Sequence, residues 1–281
     1  MKSLLPLALC PALLAQSPAP AALAPDQSEM RRIEQRGREI AEYEAVSIRS
    51  TDLLLASKYD TSLLRGWVAT RYQGQWVVAY GRLKNEKDPK ELPDGFIFAR
   101  VYACPIGKPE AMKVINISMD PLHDLDLPPG ITELARAERL ARATPSPWGR
   151  PWNIDLFKEP DGTITAYLLP GNADPAVRLI GGDFKMTIDA SGTRELRNEP
   201  LHKSLLPQTF KGPKGESITG VTTYHTHVLT EYPTETDVAF ALLNPELQGH
   251  LVMGQKWVFR IDPKGSVAYL GTPEEFLSRK P

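Results

Sequence analysis

Two imidazoles stand at i and i+2 in Thr222-Thr223-Tyr224-His225-Thr226-His227. In a strand that spacing turns both rings to one face. Further on, Thr234-Glu235-Thr236-Asp237 opens the apolar run TETDVAFALL, where Thr234 reads as an N-cap and Asp237 as its N3 acid, with Asn244-Pro245 as the stop. A strand end and the first turn of the next helix can therefore bring His225, His227 and Asp237 to one point. Two imidazoles and a carboxylate on rigid elements are a three-ligand set for a catalytic Zn²⁺, with the fourth position left to water. The residues leave a second reading open, in which polar side chains decorate a strand end and Asp237 caps its helix and meets the helix dipole.

The elements that must position these groups follow from the periodicity. Ser28 to about Ala56 reads as a long amphipathic helix capped by Ser28, with Met30, Ile33, Ile40, Tyr43 and Ile48 on one side. The period then changes: 66–70 and 76–80 flank Tyr72-Gln73-Gly74-Gln75 as a hairpin, and 95–104 with 112–117 supply a second strand pair. The loop PLHDLDLPPG at 121–130 is read as a boundary. His123 beside Asp124 and Asp126 could meet a cation there, although nothing fixes the ligand geometry. Beyond it come a helix at 131–143, strands at 152–157 and 163–169, strands at 181–188 and 193–197, a strand at 217–227, the helix from Thr234, and strands at 250–261 and 266–270. The fold class is α+β: an N-terminal helix and antiparallel sheet module over 25–120, then a mixed α/β module over 131–281.

The pattern His225-Thr226-His227 followed by Thr234-Glu235-Thr236-Asp237 resembles the JAMM motif of MPN-type domains, H-[ST]-H-P, a spacer, then S-x-x-D. The likeness extends over about 131–271 in element order and over His225 to Asp237 as a motif. It implies a JAMM-like module in which His225, His227 and Asp237 hold Zn²⁺ and Thr234 takes the place of the serine that steadies the oxyanion. The implied activity is that of a zinc peptidase or amidase. Val228 stands where the family has Pro, the spacer is one residue shorter, and Thr replaces Ser. The glutamate that the family uses as general base is not evident. Glu159 is the nearest candidate in chain order, Glu195, Glu199 and Asp155 remain, and Glu216 lies roughly 30 Å back along the motif strand. His202 is open to three readings: a partner to a ligand, an alternative base, or a surface histidine. Without a base, the same scaffold would be a periplasmic binding or assembly module that cuts nothing.

Composition bounds the partners. The 281 residues carry 33 Lys+Arg against 34 Asp+Glu, and without a basic run there is no footprint for a phosphate backbone, so nucleic acid is excluded as an expected partner. Met1-Lys2, the apolar stretch from Leu4 to Ala15 and Ala22-Leu23-Ala24 read as a signal peptide over 1–24. The expected location is periplasmic or secreted, with no integral membrane segment after signal removal and a peptide or protein as substrate. Removal of the signal leaves Cys104 unpaired, on an apolar alternation that suits a buried, inert thiol.

Overall fold

The computed structural model describes residues 24–62, 64–83, 96–116, 127–172, 174, 176–211, 216 and 218–279. The expected signal segment and the His123 loop lie outside these residues. Helix α1 spans Gln27–Ala56 and is capped by Asp26, whose side chain accepts from the Ser28 amide, two residues earlier than the sequence suggests. Its buried residues Met30, Ile33, Gly37, Ile40, Tyr43, Val46, Ser50 and Leu54 recur at three and four, which makes one stripe along the helix. That stripe serves three cores. Tyr43, Val46 and Leu54 pack with Trp76, Val78 and Tyr102; Ile40 packs with Tyr167 and Ala239; Met30 and Ile33 pack with Val238 and Phe259.

The first sheet is antiparallel in the order β1 (Gly66–Tyr72), β2 (Gln75–Leu83), β3 (Phe96–Pro105), β4 (Lys113–Asn116). Gln73 and Gly74 both take positive φ, +48° and +75°, the hairpin turn whose twist matches its strands. Cys104 is buried within β3. Helix α2 (Ile131–Arg142) leads to β5 (Trp152–Lys158), β6 (Ile164–Pro170), β7 (Val177–Gly181), β8 (Phe184–Ile188), β9 (Glu195–Pro200) and β10 (Leu205–Thr209). Of these, β5-β6-β8-β9 form a second antiparallel sheet and β7 pairs with β10. One apolar cluster takes Val68 and Val101 from the first sheet, Leu134 and Ala137 from α2, and Ile154, Ile164 and Met186 from the second. The core therefore joins residues on both sides of the boundary expected at 121–130.

The third sheet carries the motif. Strand β11 (Val221–Thr226) runs parallel to β12 (Leu247–Met253), and the crossover between them is helix α3 (Glu235–Leu243). Strands β13 (Val258–Ile261) and β14 (Val267–Gly271) complete it antiparallel, followed by α4 (Pro273–Ser278). The expected single strand 250–261 is thus two, because Gly254 donates its amide to the Trp257 carbonyl and turns the chain back. The fold is α+β, as its pattern of helices and antiparallel sheets predicts.

Helix α3 is seated by α1. A Cβ on Gly37 would fall 2.4 Å from Val238 Cβ and 2.7 Å from the Glu235 carbonyl oxygen, so the two helices approach only because that position has no side chain. Arg32 of α1 and Lys185 of β8 both reach Glu235 Oε1, at 2.7 and 3.0 Å, and fix the first turn of α3. Gly37→Ala is expected to lower stability by ~1–3 kcal/mol through overpacking, outweighing the helical preference for Ala of about 1 kcal/mol. Urea denaturation checks this; a variant as stable as the parent would mean that α3 yields without cost.

Candidate metal centre

Asp237 is the hinge between local structure and site. Thr234 and Asp237 form a capping box: the Thr234 amide and hydroxyl donate to Asp237 Oδ2 at 2.7 and 2.9 Å, and the Asp237 amide donates to Thr234 Oγ1 at 3.3 Å. Helix capping therefore occupies Oδ2 and leaves Oδ1 aimed away from the helix end. Around Oδ1 lie His202 Nε2 at 3.2 Å, His225 Nε2 at 3.3 Å and His250 Nε2 at 3.8 Å, while His227 Nε2 is 3.2 Å from Oδ2. The alternation of β11 puts His225 and His227 on the side that faces α3, as their spacing predicts.

The histidines are held from behind. His227 Nδ1 is 2.9 Å from the Tyr232 carbonyl, which can only accept, so the proton sits on Nδ1 and the Nε2 lone pair faces the centre. His202 Nδ1 is bonded to Asp183 Oδ1, which orients its ring in the same way. The two Nε2 atoms then face each other at 2.9 Å, an arrangement that needs a shared cation or proton. His225 has no hydrogen-bond partner at either ring nitrogen although it is buried. His202, His225, His227 and Asp237 are all buried, offer ligand atoms within 4.8 Å of one another, and could hold a metal ion. The separations of 2.9 Å between His202 and His227 Nε2, and of 3.2, 3.3 and 3.2 Å from His202, His225 and His227 Nε2 to one or other Asp237 oxygen, are of the size that ligands of a small cation adopt, ~3.3 Å for bonds of ~2.0–2.1 Å.

Electrostatics agree. Burial works to raise the Asp237 pKa, but the surrounding imidazoles outweigh it and hold the carboxyl well below its usual range. Burial is the main cause that lowers His225 to about 3, so its ring is neutral and able to ligate. For His202, burial opposes the charged form and the Asp183 and Asp237 carboxylates prevail, raising its pKa well above the ordinary histidine value.

Asp183 is not expected here from the sequence, and of the three readings of His202 two place it near the centre. The surface reading of His202 is corrected by its 8% exposure and its place in the cluster. The Leu201 amide donates to the Asp183 carbonyl at 3.0 Å, so the segments after β9 and before β8 run together and bring the pair into contact. Gly181, at φ +73°, leaves the room: a Cβ there would lie 3.0 Å from the His202 side chain.

The other expected site residues are placed elsewhere. Thr234 is beside Asp237, but its hydroxyl proton is committed to the Asp237 carboxylate. Glu159 accepts from Arg36 Nη2 at 2.9 and 3.0 Å and lines a cavity of about 690 Å³ that includes none of the four donor residues. Arg197 pairs with Glu199, and Glu195 is exposed on β9. Asp155 is buried against Glu44 of α1; burial first, then the Glu44 charge, raises its pKa well above the carboxylate range. Such a carboxyl holds its proton more tightly when folded, so its stabilising contribution is complete below the unfolded pKa near ~4 and is lost as pH rises through the raised value. Stability of the metal-free protein should therefore fall with pH by up to about 1.4 kcal/mol per unit for this proton. Urea midpoints measured across pH should lose that slope in Asp155→Asn.

His202, His225 and His227 are among the residues that line a cleft of about 540 Å³ between 201–208 and 221–229, while Asp237 lines a separate cavity of about 420 Å³. Among the described residues, no helix is long and apolar enough to cross a membrane. No protein-family profile, curated protein or solved structure matches the chain.

Proposed function

We propose that the chain is an exported zinc-dependent hydrolase of amide bonds in peptides, with a JAMM-like centre. The observation that carries this reading is the convergence of His225 and His227 on the Asp237 carboxylate, at 3.3 Å from Oδ1 and 3.2 Å from Oδ2, with both histidines among the residues that line a cleft large enough for a peptide segment. A zinc ion at that point supplies an acidified water and polarises a carbonyl. His225 presents a neutral Nε2, the His227 ring is oriented through its Nδ1 contact to the Tyr232 carbonyl, and the capping box holds Asp237 so that one oxygen is available. His202 takes the part for which the sequence offered Glu159: its Nδ1 is fixed on Asp183, its raised pKa puts a proton on Nε2 in the metal-free protein, and once a bound cation displaced that proton Nε2 could accept the water proton and return it to the leaving amine. The water oxygen joins the acyl carbon as the C–N bond breaks, giving an acid and an amine.

A second reading has its own observation. His202 Nε2 is as close to the other donors as they are to each other, and a fourth protein ligand closes the sphere in the manner of a structural site. The protein would then be a metal-braced binding or assembly module without turnover.

The purified protein is expected to carry one zinc per chain by elemental analysis, and His225→Ala none; unchanged stoichiometry in that variant removes these ligands. Metal-dependent cleavage of a peptide library, abolished by Asp237→Ala, selects the hydrolase. Retained zinc with no cleavage of any peptide selects the module.

A further inference from the structure

The proposed chemistry does not say what the cleft binds, and its lining does. The residues around its roughly 540 Å³ include no aspartate or glutamate and one cation besides the histidines, Lys203. Lys203 directly follows His202, is exposed, and has no carboxylate partner among the described residues. The lining also holds solvent-facing apolar side chains, Leu206 at 36% and Leu229 at 41%, with Tyr224 at 74% and Val228 at 54% alternating with His225 and His227 along the chain. A cleft with a lone positive charge beside the metal donors and an apolar wall disfavours a cationic peptide. It complements a chain that bears a carboxylate close to the bond presented to the centre.

We propose that this cleft is a binding site for carboxylate-bearing peptides, with the Lys203 ammonium pairing with the carboxylate and the Leu206 and Leu229 wall taking an apolar side chain. The inference rests on the hydrolase reading for which bond is cut, but not for binding. The carboxylate can come from a chain terminus or from an acidic side chain, and the same contact serves both.

The test uses the full chain and three fluorescent hexapeptides of one apolar sequence: a free C-terminal acid, its C-terminal amide, and an amidated form with Asp at the last position. Binding is measured by anisotropy on the metal-free protein, then cleavage on the zinc-loaded protein. The free acid should bind about 2–5-fold more tightly than the plain amide, the range for a screened, exposed ion pair. Lys203→Met should remove the difference and Lys203→Glu reverse it; because Lys203 is exposed, neither change disturbs the core. If the Asp peptide binds like the free acid, a side-chain carboxylate is an accepted source; if it binds like the plain amide, the chain terminus is the source. Both support the site. Equal binding of acid and plain amide, or a preference unchanged in Lys203→Met, overturns it. Carboxylate-dependent binding without cleavage of any peptide leaves this inference standing and rejects the hydrolase.

Discussion

With zinc as the proposed ion, Asp237→Asn should weaken its binding while leaving the protein folded. Structural zinc sites bind with roughly 10–16 kcal/mol, so one of four donors accounts for about 2.5–4 kcal/mol, or two to three orders of magnitude in affinity. Asparagine keeps an oxygen that can accept the Thr234 amide, now 2.7 Å from Oδ2, so the cap of α3 survives. It loses the negative charge on which His202, His225 and His227 converge. Asp237→Ala should show both losses: the same fall in affinity and a further ~0.5–2 kcal/mol from the missing cap. Competition with a chromophoric chelator measures the first, and urea denaturation of the metal-free proteins the second. An Asp237→Asn variant that binds zinc as the parent does would mean that the carboxylate is a helix cap and nothing more.

What the sequence made legible is what is encoded within a few residues. The i, i+2 spacing put His225 and His227 on one face, and Thr-x-x-Asp marked both the start of α3 and the orientation of Asp237, because strand alternation and helix capping are local rules. His202 and Asp183 are different. They stand 25 and 44 residues before His227, and only the pairing of β7 with β10 and of β8 with β9 makes them neighbours. The short β7 and β10 had no clear period, and Pro207 within β10 argues against a strand until it is seen paired to β7 alone among the described residues. Order along the chain favoured Glu159 as a base, yet its carboxylate is taken by Arg36, a residue of α1 whose approach no local pattern announces. The burial of His250, whose Nδ1 lies 2.7 Å from Thr223 Oγ1, was equally hidden, since it depends on the parallel register of β11 and β12.

The pair His202 and Asp183 also decides between the two readings of the centre. His202→Ala alone is a poor probe, because it leaves the Asp183 carboxylate buried at 2% exposure with its imidazole partner gone, and an orphaned charge of that kind costs ~3–5 kcal/mol. Changing both, His202→Gln with Asp183→Asn, keeps a neutral hydrogen bond between amides and removes the charge. If His202 is the proton acceptor, this double variant should retain zinc within about tenfold of the parent affinity and lose turnover by ~10²–10⁴, the usual contribution of a positioned base. If His202 is instead the fourth ligand, zinc affinity should fall by the two to three orders of magnitude expected for one donor, and the thermal midpoint of the zinc-loaded protein should fall with it. Asp183→Asn by itself sharpens the separation. It removes the acceptor that fixes the His202 tautomer, so as a support to a ligand it should weaken zinc 10–100-fold, whereas behind a base it should lower turnover with zinc affinity nearly unchanged. The hydrolase reading requires the second result, because three donors must hold the ion while the fourth side chain remains free to carry a proton.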